Sequence, residues 1–209
     1  MRETELFGSK VVGPPLAEPR ANVFRAGATL PRSVTRVAVL PLAVKGTSES
    51  LATGREVLEG LLPLELQRLE RFEFVQVTPE QLREWTGRVS WGGDDVLPED
   101  FLKQIEERLD CEAVLFPRLT RFQAYPPLAI GWDFKLVRTS SATVLWAVDE
   151  LVDAGDRAEA ARAVNYANQG SQQPFWVKKD DIILTSPLRF GQYSLNSVIA
   201  ERCYYLNEV

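Results

Sequence analysis

Apolar and polar residues follow one another along the chain in patterns that predict a sheet with helices beside it. The run from Arg36 to Leu42 is short, apolar and rich in valine, which fits a strand buried on both faces with Pro41 near its end. Leucines then recur at spacings of three and four, which predicts one helical stripe that Pro63 kinks or splits. The stripe consists of Leu58, Leu61, Leu62, Leu66 and Leu69. A second strand is predicted at residues 71–77.

Two shorter helices and a loop come next. Thr78 is the predicted cap of a helix that begins at Pro79, because proline fits the first helical position. Residues 87–97 form a predicted loop, and Pro98 opens another helix with one apolar side. That side consists of Phe101, Leu102, Ile105 and Leu109.

Three strand-like segments then follow in succession and predict an antiparallel meander. They cover residues 112–124, 128–139 and 143–152. In the middle segment, apolar side chains alternate with Asp133 and Lys135, which is typical of a sheet with one covered face. The predicted fold class is therefore α/β (α+β), a mixed β-sheet of about five strands with a C-terminal antiparallel meander, flanked by helices.

The C-terminal part of the chain is predicted to be helical, and the N-terminal part is predicted to be extended. A helix is predicted at residues 156–167, and Ser186 followed by proline predicts the start of a final helix. The core face of the final helix would carry Leu195, Val198, Ile199, Cys203 and Leu206. Residues 1–33 contain four prolines and three glycines without periodicity, which predicts an extended lead-in or tether. Residues 34–209 are then a single α/β domain.

Composition excludes several functions. Lys and Arg total 24 against 29 Asp and Glu, so a net charge of −5 argues against nucleic acid and anionic membrane as general partners. The chain has no histidine, which excludes Ser-His-Asp and Cys-His catalysis and zinc sites built on imidazole. We also expect no catalytic residues, no metal and no cofactor. Cys111 and Cys203 lie in apolar surroundings and are predicted to be buried free thiols, with one long-range disulfide as the alternative.

Three phrases resemble a domain of bacterial envelope lipoproteins. They are RVAVLPL at residues 36–42, CEAVLF at 111–116, and KLVRT at 135–139 leading into TVLW at 143–146. The α/β domain that they resemble occurs in the curli-secretion lipoprotein, in lipoprotein activators of penicillin-binding proteins and in the amino-terminal domain of the Tol translocation protein. Residues 121–131 are also similar to uncharacterised lipoproteins that carry Arg-x-x-x-Tyr-Pro-Pro-Leu-x-Ile-Gly. Ser141-Ala142 stands where the group usually has a turn glycine.

The resemblance implies a function of docking or assembly without catalysis. The expected partner is a protein of the envelope, with self-association as a further form of assembly. The resemblance also implies a periplasmic location and a tether to the outer membrane through a lipidated cysteine upstream of this chain. The first ten residues lack the apolar core of a secretory signal, so a cytoplasmic location is the alternative.

Aromatic residues supply the first candidate site. Aromatic side chains mostly fill cores, and Trp85 and Trp132 fit that interpretation. Trp91 lies in a loop beside glycines and Tyr125 lies at a proline hinge, so both are expected to be exposed. Because exposed aromatics mark interfaces, we expect a partner-contact surface there. Its residues are Trp91, Tyr125, Pro126 and Pro127.

A second candidate is an anion site between a strand and a helix, where backbone amides can hold a phosphate. Its residues are Lys45, Gly46, Thr47 and Ser48. They lack the spacing of a phosphate-binding loop, and an ordinary helix cap is the favoured interpretation of these residues. If such a site exists, the chain is a small-ligand or nucleotide-binding regulatory α/β protein, which is the alternative function.

A third candidate is an acidic cluster. Its residues are Asp94, Asp95, Glu99 and Asp100. Oxygen ligands at close spacing suit calcium or magnesium, but the order of these residues along the chain does not match that of a calcium-binding loop. Carboxylates at the start of a helix are also expected from the helix dipole alone. A carboxylate-dependent hydrolase would require Asp94 or Asp95 to face another acid across a cleft.

Overall fold

A computed structural model describes residues 22–169 and 180–201 of the 209-residue chain. Within these residues a mixed sheet of seven strands runs through the molecule. The strands are β1 Asn22–Arg25, β2 Arg36–Val39, β3 Ala43–Val44, β4 Glu73–Gln76, β5 Ala113–Gln123, β6 Ala129–Arg138 and β7 Val144–Asp153. The helices are α1 Glu49–Leu58, α2 Leu61–Leu66, α3 Pro79–Thr86, α4 Phe101–Leu109, α5 Arg157–Gln169, α6 Asp180–Ile183 and α7 Pro187–Asn196, followed by a π-helical turn at Ser197–Glu201.

The strand order is β1-β7-β6-β5-β2-β4, with β3 beside β5. Strands β5, β6 and β7 form the predicted antiparallel meander, and β2 runs parallel to both β4 and β5. The predicted fold class is confirmed. In the turn between β6 and β7, Ala142 adopts the left-handed φ of 54° that glycine would supply without strain.

Pro41 separates two strands that lie in one line along β5. The β2 ladder ends with Leu40, whose N–H donates to the carbonyl of Leu115 at 3.1 Å, and the line resumes in β3. Lys45 then donates its N–H to the carbonyl of Leu119 at 2.9 Å. Because proline has no N–H to donate, the interruption follows directly from the sequence.

The strand β1 was not predicted. Asn22–Arg25 falls within the expected lead-in, but these residues form β1 and pair antiparallel with β7. Leu30 is also buried, so the prediction that the folded domain begins only at residue 34 is wrong. Four residues without clear alternation carry too little local signal, and the pairing with β7 is what makes them a strand. With β3, this strand raises the number from about five to seven.

The predicted break in the leucine stripe and the predicted caps of α3 and α7 agree with the structure. The leucine stripe is split into α1 and α2, and Pro63 lies in the first turn of α2, where its missing N–H costs least. Thr78 caps α3 in a reciprocal arrangement: Gln81 N–H donates to Thr78 Oγ1 at 3.2 Å, and Thr78 N–H donates to Gln81 Oε1 at 2.9 Å. Ser186 accepts from the N–H of Arg189 at the start of α7.

Helices cover the two faces of the sheet unequally. The larger core lies on the side of α1, α2, α5, α6 and α7, and it contains the alternating apolar residues of β6, which are Ile130, Trp132, Phe134 and Leu136. The smaller core lies on the other face under α3 and α4 and contains the buried thiol of Cys111. Beyond that core, the same face carries Asp133 and Lys135, which line an open groove. Cys203 and Leu206 lie outside the described residues.

Candidate functional site

The turn between β5 and β6 presents Tyr125 to solvent. Its side chain is 82% exposed, whereas Leu128, three residues later, is fully buried. The Gln123 side chain bridges the turn. Its Nε2 donates to the carbonyl of Pro127 at 2.6 Å and to that of Tyr125 at 3.4 Å. The Pro126–Pro127 peptide bond is cis. The turn is therefore internally hydrogen-bonded, and its aromatic ring projects outward.

Two neighbouring segments support this turn. On one side, Arg121 Nη2 donates to Gln123 Oε1 at 3.3 Å and thereby orients the amide that spans the turn. On the other side, Ala154 N–H donates to the carbonyl of Leu128 at 2.8 Å. Gly155 also lies beside the turn, because a Cβ at this position would stand at an ordinary contact distance of 3.6 Å from Pro127. We call residues Tyr125, Pro126 and Pro127 the hairpin tip.

Trp91 does not belong to this surface, and the prediction that it is exposed is wrong. Its side chain is 5% exposed, and its ring meets that of Phe101 edge-on with 5.4 Å between centroids. Its Nε1 donates to Thr86 Oγ1 at 2.8 Å, and the guanidinium of Arg88 covers the ring at 4.0 Å. The flanking glycines do not expose the ring, because Phe101 on α4 provides an apolar surface for it.

The same loop lies directly over the sheet. A Cβ on Gly92 would stand 3.1 Å from Arg118 Cδ, and one on Gly93 would stand 2.5 Å from Lys135 Cδ. Glycine therefore permits the backbone to approach these long side chains. Asp94 then accepts from both Arg118 and Lys135, and Arg118 Nε donates to Asp133 at 2.9 Å. We call Asp94, Arg118, Asp133 and Lys135 the Arg118 cluster.

Charge pairing dominates this cluster. The side chains of Arg118 and Asp133 are 9% and 10% exposed, so each needs the other to offset the loss of water. The hydrogen bond from Lys135, and then that from Arg118, holds the pKa of Asp94 below its ordinary value. Sequence analysis did not find the cluster, because its members come from a loop and two strands.

Two of the four residues in the predicted acidic cluster pair with basic side chains. Asp94 belongs to the Arg118 cluster, and Asp95 pairs with Arg88 at 3.1 Å and accepts from the N–H of Gly92. Asp100 occupies the cap position of α4, but its side chain makes no hydrogen bond to the helix, and Glu99 is exposed in the preceding turn. Within residues 22–169 and 180–201, no group of three or more histidine, cysteine or acidic side chains is arranged to hold a metal ion.

A groove adjoins the Arg118 cluster on the open face of the sheet and encloses about 490 Å³. In the strand register, Asp133 on β6 stands opposite Asp149 on β7, and Asn22 on β1 stands opposite Asp149 in turn. Phe24 stands opposite Ala147, and its ring is 53% exposed. The groove therefore combines carboxylates with an accessible aromatic ring.

The predicted anion-binding segment is an exposed loop between β3 and α1. Gly46 adopts a φ of 97°, and Ser48 precedes α1 without a hydrogen bond from its side chain to the helix. The loop lies at the carboxyl end of β3, and the hairpin tip follows the carboxyl end of β5, so the parallel pairing of these strands places both at one end of the sheet. Anion binding by Lys45, Gly46, Thr47 and Ser48 stays a prediction.

Comparisons with known proteins yield likenesses of fold. No known family and no curated protein matches the chain. The PelC dodecamer from Paraburkholderia phytofirmans is 10% identical, with 90% of this chain and 97% of that chain covered and a TM-score of 0.45. The hypothetical protein CT253 from Chlamydia trachomatis is 13% identical over 83% of this chain and 98% of that chain, with a TM-score of 0.46.

A third solved structure is that of a lipoprotein. Lipoprotein GNA1162 from Neisseria meningitidis is 11% identical, with 66% of this chain and 99% of that chain covered and a TM-score of 0.42. Among the helices that the structure describes, none has both the length and the apolar composition that crossing a bilayer requires.

Proposed function

We propose that this chain is a non-enzymatic binding or assembly domain of the bacterial envelope and that it contacts a partner protein through the hairpin tip. The observation that carries the proposal is the 82% exposure of Tyr125 on a turn held by Gln123 and Pro127. Tyrosine is enriched among the residues that dominate binding energy at interfaces. A turn that is already ordered loses little entropy when its partner binds.

The energy available from one such side chain is substantial. Full burial of a large apolar side chain is worth about 1.5–3 kcal/mol, and the hydroxyl of a tyrosine offers an additional hydrogen bond. Pro126 and Pro127 add apolar area without side-chain entropy to lose. The tip is therefore suited to insert into a pocket on another protein.

The envelope location is supported by the sequence phrases at residues 36–42 and 111–116, which resemble envelope lipoproteins. The same proposal includes a lipid anchor upstream of the chain, a periplasmic position at the outer membrane and assembly with further copies of the chain.

The lack of histidine in the sequence supports a function without acid–base catalysis by histidine, the residue most often used for it.

Capture of partner proteins tests the proposal. Full-length protein is immobilised, incubated with solubilised envelope from the source bacterium, and compared with the Tyr125→Ala variant. We expect the variant to lose about 30-fold in affinity for the captured protein, as for a residue worth 2 kcal/mol at an interface.

The matched control is Leu64→Ala, which removes another exposed apolar side chain (58% exposed) from α2. It should capture the same protein as wild type, and both variants should keep the thermal midpoint of wild type. If Tyr125→Ala captures the protein as tightly as wild type does, the hairpin tip is not the contact surface and the proposal fails.

A further inference from the structure

The groove beside the Arg118 cluster carries one carboxylate that the fold leaves unmatched. Asp94 and Asp133 are both bonded to Arg118, and Asp94 also accepts from Lys135. Two cations thus face two carboxylates. Asp149 is a third, exposed carboxylate, and no ion pair or side-chain hydrogen bond reaches it from the part of the chain that the structure describes.

The position of Asp149 is unfavourable for stability. It stands directly opposite Asp133 in the ladder between β6 and β7. Like charges at directly opposed positions destabilise an antiparallel sheet, and the guanidinium of Arg118 is already bonded to Asp133. A cation bound in the groove would remove this repulsion.

The surroundings of Asp149 specify the kind of cation. The register places Phe24 opposite Ala147, two residues from Asp149, so the ring and the carboxylate are diagonal neighbours on one face. Asn22, directly opposite Asp149, adds an amide oxygen that can accept a hydrogen bond. A planar guanidinium can stack on an aromatic ring while it donates two hydrogen bonds to a carboxylate, whereas an ammonium lacks the planar fork.

We propose that this groove binds an arginine side chain from an extended basic segment of a partner protein, with the guanidinium between Phe24 and Asp149. The groove is bounded by β1 on one side and by Asp94 on the other, and its 490 Å³ leave room for residues on both sides of the arginine. The net charge of −5 favours the approach of a basic segment. This proposal goes beyond the hairpin tip and involves a different surface.

A peptide titration followed by nuclear magnetic resonance tests the proposal. The probe is acetyl-Gly-Arg-Gly-amide, and its neutral isostere contains citrulline in place of arginine. We expect saturable shifts at the amides of Asn22, Phe24 and Asp149 with the arginine peptide. The citrulline peptide should bind about tenfold more weakly, because it lacks the charge.

Two variants sharpen the test. Asp149→Asn should weaken binding of the arginine peptide about tenfold, yet keep or raise the thermal midpoint, because it removes the repulsion with Asp133. Phe24→Leu should reduce the preference for arginine over acetyl-Gly-Lys-Gly-amide. The matched control is Asp110→Asn, an exposed carboxylate at the end of α4 whose left-handed backbone also suits asparagine.

Several results would overturn the proposal. They are equal affinity for the arginine and citrulline peptides, equal affinity for the arginine and lysine peptides, unchanged binding by Asp149→Asn, or shifts confined to another surface. The peptide titration contains no partner protein, so it is independent of the capture experiment with Tyr125→Ala. A negative outcome in either experiment leaves the interpretation of the other unchanged.

Discussion

Glu112 shows how much a single carboxylate contributes to the position of the strands. It lies just before β5 and accepts from the N–H groups of Thr35 at 3.0 Å and Arg36 at 2.7 Å, at the start of β2. Burial works to raise the pKa of Glu112, but the N–H donors of Arg36 and Thr35 outweigh it, and the pKa lies below its ordinary value. The ionised carboxylate thus links the starts of two neighbouring strands.

This link predicts a dependence of stability on pH. Because the pKa is lower in the folded state, the stabilising contribution is complete at neutral pH. It is lost as the pH falls from the ordinary glutamate value of about 4.3 through the folded value. Urea unfolding at stepwise lower pH should show a smaller decline for Glu112→Gln than for wild type. Parallel curves for the two proteins would contradict the assignment.

The exposure of a side chain is predictable from sequence where it depends on the residues next to it in the chain. Tyr125 was expected to be exposed because two prolines follow it, and it is. Trp91 was expected to be exposed because glycines follow it, but Phe101 on a later helix buries its ring. The partners of Arg118 come from distant segments, so local sequence carries no signal for that cluster.

At the scale of elements, Gly54 sets the distance between α1 and β5. A Cβ at this position would stand 2.5 Å from Phe122 Cγ and 2.8 Å from Leu119 Cδ2. Glycine inside a helix costs about 1 kcal/mol relative to alanine. The close contact with Phe122 and Leu119 accounts for its presence here.

We therefore expect Gly54→Ala to destabilise the protein by about 1–3 kcal/mol, despite the better helix propensity of alanine, because the added methyl group overfills the core. Urea unfolding measures the change. The control is Thr53→Ala, an exposed neighbour on α1, which should leave the free energy of unfolding unchanged or slightly higher. A Gly54→Ala protein as stable as wild type would show that α1 can move away from β5.

Long periodic elements were predictable, whereas the strands β1 and β3 were not. The leucine stripe of α1 and α2 and the alternation in β6 follow directly from periodicity, because one face of each element meets a core. The strand β1 has four residues and acquires its structure from β7, more than a hundred residues away. No local pattern specifies such a pairing.

At the scale of the whole molecule, helices on both faces bury one part of the sheet and leave another part open. The larger core and the smaller core stabilise the meander that carries the hairpin tip at its β5–β6 turn. The open face carries the groove with Asp149. The molecule is thus a stable scaffold with two candidate contact surfaces, one aromatic and one acidic.

Photo-crosslinking tests most directly whether the hairpin tip contacts a partner protein in the envelope. A photo-crosslinking amino acid, p-benzoylphenylalanine, is placed at position 125 of the full-length protein in its own bacterium and, as a control, at Glu107 on the exposed side of α4. We expect a discrete adduct with an envelope protein, or with a second copy of the chain, from position 125 and none from position 107. A folded protein that yields no adduct from position 125, or the same adducts from both positions, would contradict it.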